Sequence, residues 1–386
     1  MKMTKLKWLA AMAPLIAGLA VTAAPAADEL DHECTSWMVF SDLTKNNTNL
    51  LHKNRDAQKY RDIVVIRSQP GSPRQWIGLG NVNNLCMGMN SSGLAAVMNS
   101  GELCIDYSTN SKKKSTPQNL RLILETCDTA AQAAATIKKQ IEIGDYSHPG
   151  KRGSIFFFTD TKEGYICEMT AKYCSVQRYD NSYAFRANIW HNPRMAQLAR
   201  NTPKSIYNSC GRETLVMDTM NTALDKNGRL DLKDILALSR RNKQPKDSPF
   251  ASSVCSSWTN SASTQVVHKE FPETLSTVWA LIGHPRNTIY VPIPVCVEKL
   301  HPAMLSLEWS AAAWKRFDKL GADAEIPAEW TALEQQSIAE YEKAVKEAEV
   351  LLRNGRKAEA VKLVNTTAAG IWQKAYDLCV RPAAGK

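Results

Sequence analysis

A cysteine placed where the chain can be cut in front of it brings a nucleophile and a base together on one residue. Cys34 opens the run Cys34-Thr35-Ser36 a few residues after an N-terminal leader. Cleavage before Cys34 would expose a thiol and a free α-amine on the same residue. That amine has a reference pKa of about 7.7–8, so at neutral pH a useful fraction is unprotonated and can take the thiol's proton. No partner histidine is then required. Lys53-Asn54-Arg55-Asp56 follows at the distance at which a second strand returns beside the first. Asp56 would then be a candidate partner for the new terminus.

These residues also have plainer readings. A lone cysteine in an exported chain is usually half of a disulfide, and the ten cysteines here suggest disulfides. The Thr-Ser continuation and Asp56 favour the nucleophile. Asn90 and Asn188 fit ordinary turns, since Asn tolerates turn conformations and Asn90 precedes Ser91-Ser92-Gly93. His191 and His284 raise a cysteine–histidine dyad, but no papain-type signature surrounds Cys34, so loop or core histidines are the better reading. Trp190, Trp258 and Trp279 read as core or pocket wall. Cys167 and Cys174 would face each other if 165–179 forms a hairpin about Thr170-Ala171, at a site where a disulfide is strained.

The elements that must position this chemistry begin after an address segment. Lys2, Lys5 and Lys7 precede the apolar stretch Trp8 to Val21 and the small-residue site Ala24-Pro25-Ala26, a pattern that predicts a signal peptide over 1–26. A short propeptide, 27–33, then separates the signal cut from Cys34, and self-processing at Glu33–Cys34 is the economical second cut. No segment is apolar for the roughly 20 residues that span a bilayer. An exported protein, periplasmic or secreted and without stable membrane insertion, is expected. The formal charge of +10 is spread along the chain, and its dense block, Lys112-Lys113-Lys114, reads as a solvated loop. No aromatic-interleaved basic stripe accompanies it, which argues against nucleic-acid binding. No metal-ligand spacing or cofactor motif appears. A homo-oligomer is left open.

From Cys34 to 301 the pattern is mixed. Apolar strands are predicted over Thr35–Phe40, Asp62–Ile66, Leu94–Asn99, Ser154–Thr159 and Thr288–Val291. Helices are predicted over Asn119–Thr126, Thr129–Ile141 and Asp231–Arg241, the last capped by Asp231 and Asp234. From 302 to 386 the chain reads as helical: Ala303–Leu320, Pro327–Arg353 and Lys357–Leu378, with Gly321 and Gly355 as stops. The last helix would place Ala358, Val361, Val364, Ala368, Ile371 and Ala375 on one face. These helices are expected to pack on the main domain as a structural extension.

Four segments in order carry a family resemblance: Cys34-Thr35-Ser36; Leu51 to Asp56; Met89-Asn90-Ser91-Ser92-Gly93-Leu94-Ala95; and Arg186-Ala187-Asn188. Together they resemble the cysteine N-terminal nucleophile hydrolases, including choloylglycine hydrolases, penicillin V acylases, acid-ceramidase-like amidases and the isopenicillin-N acyltransferase branch. Ser276 to Pro292 also looks like the late strand region of the acyltransferase and carcinine-hydrolase branch. The resemblance implies an α+β, αββα sandwich with the nucleophile at the start of a central strand. It implies Cys34 as nucleophile and α-amine base, Asp56 holding the amine, and the Asn188 side chain with the Asn90 backbone amide as oxyanion hole. Lys53, Asn54 and Arg55 would support the nucleophile. Many members carry Arg at the position of Lys53, and Lys lacks the bidentate fork. The late arginine of the bile-salt branch has no clear counterpart near Asp247–Trp258.

The function so implied is an exported amidase that cleaves a linear, non-ribosomal C–N bond of a small N-acyl compound through a Cys34 thioester. An acyltransferase or a dipeptidase of the same fold competes with it. A non-catalytic, disulfide-stapled binding protein is the alternative from another class.

Overall fold

The computed structural model describes residues 34–384, apart from 58–59, 70–71, 83 and 243–251. The expected signal peptide, propeptide and Glu33 side of the processing site lie outside the described residues, as does part of the 247–258 segment.

Two antiparallel sheets form the body. The first orders its six strands as Tyr183–Arg186 (β10), Cys34–Val39 (β1), Asn49–Asp56 (β2), Thr259–Val267 (β11), Thr277–Ile282 (β12) and Val291–Pro294 (β13). The second runs in sequence order through Ile63–Arg67 (β3), Trp76–Asn81 (β4), Asn84–Asn90 (β5), Ala95–Leu103 (β6), Arg152–Thr159 (β7), Gly164–Met169 (β8) and Cys174–Tyr179 (β9).

Every residue of β1 and β2 is buried. Alternation along these strands therefore sorts side chains between two cores rather than between core and water. Met38 and Leu51 meet Leu79, Met87, Val97 and Phe157 of the second sheet. Beyond that sheet, helices Thr116–Thr126 (α1) and Ala130–Glu142 (α2) pack Leu120, Leu124, Ala133 and Ile137 on Ala96, Phe156 and Phe158. On the opposite side, Trp37, Val39 and Leu50 meet Leu215, Val216 and Ile235 of helices Pro203–Asn227 (α3) and Leu232–Leu238 (α4). The layers thus run helix, sheet, sheet, helix, which is the expected αββα order. Asp231 and Asp234 form the expected capping box of α4.

Several local readings are corrected. Met169 pairs with Cys174, so the hairpin turns through four residues and Cys167 faces Val176. Its two cysteines are diagonal neighbours, and the thiol contact with Cys174, together with burial, pushes Cys167 upward. All ten cysteines are free thiols, so the expected disulfides are not formed. The late strand starts at Val291 rather than Thr288, because the preceding backbone serves a helix instead: Tyr290 N donates to Glu334 Oε2 at 2.8 Å.

After 301 the chain forms helices Glu308–Leu320 (α5), Ala328–Arg353 (α6) and Lys357–Ala375 (α7). Gly321 and Gly355 end α5 and α6 with φ of 79° and 75°. The buried face of α7 is Ala360, Val364, Ala368, Ile371, Trp372 and Ala375, with Ala358 and Val361 rotated out of it. Trp372 Nε1 donates to the Pro292 carbonyl of β13 at 2.6 Å. Arg240 forks onto the Glu334 carboxylate of α6, both side chains being 10% exposed.

Two buried histidines make the body acid-sensitive. His52 on β2 stacks on Trp37 at 4.0 Å and is bonded to Thr264 Oγ1 and Asn54 Oδ1 at 2.7 and 2.8 Å. Burial pushes it down from 6.5 to about 3. His284 lies 3.7 Å from the Cys255 thiol, and burial lowers it to about 4. Unfolded imidazoles protonate near pH 6.5, so below that pH the unfolded chain binds more protons and stability falls. The loss should develop from about pH 6.5 down to about 4 for His284 and about 3 for His52, at up to about 1.4 kcal/mol per pH unit for each histidine. Urea unfolding of wild type and His284→Gln across this window should show a shallower slope in the variant; equal slopes would refute the assignment.

Candidate active site

Cys34 is the first residue of β1 and is 5% exposed. It stands opposite Arg55 in the β1–β2 ladder, and Ser36 stands opposite Lys53. Directly opposed residues project to the same side of a sheet, and here that side faces the second sheet. Ser36 Oγ and Lys53 Nζ both donate to Asn99 Oδ1 of β6, at 2.7 and 2.9 Å. Asn99 Nδ2 donates to the carbonyls of Arg186 and Ala187 at 3.2 and 2.9 Å. One asparagine thus joins β6, β1, β2 and the segment leading to Asn188.

Between the sheets lies a cavity of about 200 Å³ whose walls include Cys34, Lys53, Arg55, Asp56, Asn81 and Cys86. Asp56 Oδ1 accepts from Thr259 Oγ1 at 2.6 Å, across the β2–β11 pair. Asn54 points the other way, toward α4, and donates to the Ser239 and Val254 carbonyls.

The Cys34 nitrogen donates to Asn188 Oδ1 at 2.8 Å. That oxygen also accepts from Arg212 Nη2 at 2.9 Å, while Asn188 Nδ2 donates to the Ser100 carbonyl at 2.7 Å. Here the Asn188 amide oxygen grips the Cys34 nitrogen, and one of its two N–H donors is spent on Ser100. Arg212, from α3, is 1% exposed and also donates to the Cys34 carbonyl, to Thr35 Oγ1 at 3.0 Å and to Ser209 Oγ at 3.3 Å.

A second ring of buried charge holds the 186–192 segment. Arg186 Nε donates to Glu168 Oε1 at 2.9 Å, and Glu168 also accepts from the amides of His191 and Asn192. Glu213 accepts from Ala187 N and is bonded to His191 Nε2, both at 2.8 Å. Burial opposes its charge, but His191, the Ala187 N–H and Arg186 outweigh burial and hold Glu213 below the usual carboxylate range. Glu102, which accepts from Trp190 N at 3.1 Å, is pushed well above that range by burial. His191 and His284 are thus engaged by Glu213 and Cys255, not by Cys34.

Asn90 lies elsewhere. Its amide N donates to the Leu94 carbonyl at 3.0 Å, and its side chain bonds the Leu124 and Cys127 carbonyls and the amides of Ser92 and Leu94. It shapes the β5–β6 turn, where Gly93 has φ of 82°. Asn84, at the cavity, lies at the opposite end of β5, about 20 Å away at strand rise. The oxyanion role assigned to the Asn90 amide is therefore corrected: that donor is already paired and distant.

A protein-family model described as acyl-coenzyme A:6-aminopenicillanic acid acyl-transferase matches residues 43–266, more than half of the chain. The chain belongs to this family. Its body is a sandwich of two antiparallel sheets of six and seven strands. Among solved structures, a mutant conjugated bile acid hydrolase from Clostridium perfringens is similar at 14% identity, covering 68% of this chain and 92% of that one, with a TM-score of 0.44. Penicillin V acylase from Agrobacterium tumefaciens is similar at 12% identity over 64% and 86% of the two chains, with a TM-score of 0.41. No curated protein matches.

For this member of the acyl-transferase family, sequence reasoning missed Asn99, Arg212, Glu213 and Asn81. Asn99 lies four residues past the end of the motif that drew attention to Asn90. Arg212 sits in a helix whose sequence carries no local signature. Asn188→Ala should remove the acceptor shared by Cys34 N and Arg212 and orphan the Ser100 carbonyl, at a cost of about 1–3 kcal/mol. Urea denaturation measures this, and a change within about 0.5 kcal/mol would return Asn188 to an ordinary turn residue.

Proposed function

We propose that this chain is an amide-cleaving enzyme with Cys34 as N-terminal nucleophile. The observation that carries the reading is the Cys34 nitrogen held on Asn188 Oδ1, in a residue that also lines a cavity with Lys53, Arg55 and Asp56. A nucleophilic residue at a strand start, with its nitrogen gripped and its side chain at a cavity, is what a base–nucleophile pair on one residue requires.

In the uncut chain that nitrogen is a peptide N–H. Attack of the Cys34 sulfur on the Glu33 carbonyl would shift the acyl group from nitrogen to sulfur, and water would release the leader as a carboxylate. Cys34 then carries a free α-amine. In turnover the amine takes the thiol proton as sulfur attacks the substrate carbonyl. The tetrahedral intermediate collapses with loss of the C–N bond, and the α-ammonium returns its proton to the leaving amine. Water, deprotonated by the same amine, attacks the thioester and regenerates the thiol. If a second amine attacks instead, the outcome is acyl transfer. The Lys53 ammonium, 1% exposed and bonded to Asn99 Oδ1, supplies positive charge beside the developing oxyanion. Asp56 supports the ammonium form of the terminus across the same cavity.

Hydrolysis is the reading we favour, with export directed by the N-terminal leader. The stapled binding-protein alternative loses its support, since all ten cysteines are free thiols. Intact-mass measurement of purified active protein should find Cys34 at the amino terminus; an active enzyme that keeps Asp31-His32-Glu33 would sink the mechanism. Cys34→Ala should be inactive, should fold with wild-type thermal stability and should retain its leader stub. A large fall in melting temperature with preserved activity would assign Cys34 a structural role instead.

A further inference from the structure

Arg55 is the anomaly of the cavity. It is 8% exposed, and its side chain projects from β2 on the same side as the Cys34 opposite it. Nη2 donates to Asn81 Oδ1 at 2.8 Å, and the guanidinium lies over the Tyr60 ring at 5.5 Å from the centroid. Nη1 is buried and has no hydrogen-bond partner among the described residues. No carboxylate among the described residues forms an ion pair with Arg55. An unpaired N–H of a buried guanidinium is costly, because desolvation of the charge is not repaid by a partner. The charged side chains lining the cavity are Lys53 and Arg55 against Asp56, so the cavity carries an excess of positive charge. Lys53 already spends a hydrogen bond on Asn99, and Asp56 is engaged by Thr259. Arg55 alone presents an unused donor on a rigidly held fork.

Resting on the reading that Cys34 is the nucleophile, we propose that Arg55 is a specificity-determining residue that binds a carboxylate of the substrate. The geometry also bounds where that carboxylate sits. Residues opposed across an antiparallel pair have Cα atoms about 4.5–5.5 Å apart. Both side chains line one cavity of about 200 Å³, so a group bound by Arg55 while sulfur attacks the carbonyl lies within that same small space, a few bonds from the scissile amide. The substrates so selected are N-acyl amino acids, with the carboxylate on the leaving amine, or amides of short dicarboxylic acids, with it on the acyl half. Neutral fatty amides and cationic amines lack the anion that would complete Arg55. Asn81 fixes the plane of the fork from the second sheet, so the bidentate partner must enter between the sheets.

The test compares four compounds on the processed protein: N-hexanoylglycine, its carboxamide, N-butylsuccinamic acid and its carboxamide. Two readouts are taken, kcat and KM for cleavage, and protection of Cys34 from iodoacetamide, which needs binding but no turnover. At least one carboxylate should be preferred over its carboxamide by about 10–100-fold, the span expected for a hydrogen bond to a charged group. The preference should lie in KM and in protection, should collapse in Arg55→Met, and should be partly kept in Arg55→Lys, which retains charge without the fork. Carboxylate-selective protection that depends on Arg55, even without cleavage, sustains the inference while the proposed amidase reading fails. Equal protection by each carboxylate and its carboxamide overturns the inference, whether or not the protein cleaves them. So does undiminished selectivity in Arg55→Met; should that variant not fold, Arg55→Lys decides, and unaltered selectivity there with a wild-type melting temperature overturns the inference equally.

Discussion

Arg212 is a cation buried in the interface between α3 and the first sheet, and its hydrogen bonds run to neutral oxygens: the Cys34 carbonyl, Thr35, Asn188 and Ser209. A guanidinium in such a place is stable only if its donors are aimed and its acceptors are fixed. Fixing them is what organises the site. The first two residues of β1 are held from the helix side, and Asn188 is turned so that its oxygen faces both Arg212 and the Cys34 nitrogen. The carboxylates of Glu213 and Glu168 then hold the 186–192 backbone that delivers Asn188. The position of Cys34 is thus set by electrostatics behind the sheet, while its side chain faces the cavity between the sheets.

That division follows from the alternation of a doubly buried strand. Thr35, Trp37 and Val39 belong to the helix layer, and Cys34, Ser36 and Met38 to the space between sheets. On β2 the same rule sends Asn54 and His52 to the helix layer and Lys53 and Arg55 inward. Polar residues crowd both sides of one end of these strands, while apolar residues fill the other. The sandwich is accordingly a hydrophobic core with a polar mouth, and the mouth is where Asn99 bridges the two sheets.

Much of this was readable from residue types. Strands and helices whose pattern was strict fall within a few residues of expectation, and Asp231 with Asp234 marked a helix start because a capping box is local. That Cys34, Lys53 and Asp56 line one cavity follows from two neighbouring strands joined by little intervening chain. Asn90 misled because Asn-Ser-Ser-Gly is a turn signal that happens to recur in the family motif, whereas the residue that reaches the site, Asn99, follows a featureless strand. Arg212 and Glu213 were invisible for a physical reason: apart from Ser209, one turn from Arg212 on the same helix, their partners are more than twenty residues away on other elements. The disulfide reading failed because cysteine counts say nothing of the distances between thiols.

The prolines of β13 have a consequence beyond the site. Pro292 and Pro294 sit on the last strand of the first sheet, where they remove two of the amide donors a neighbouring strand would need, and the Pro292 carbonyl is already taken by Trp372 of α7. The opposite margin of that sheet is the four-residue β10. Neither border of the sheet that carries Cys34 offers a long template for another copy of the chain to add a strand. Concentrated protein can therefore keep this sheet closed to edge-on polymerisation, and the C-terminal helices act as a stopper against aggregation as well as a wall of the core.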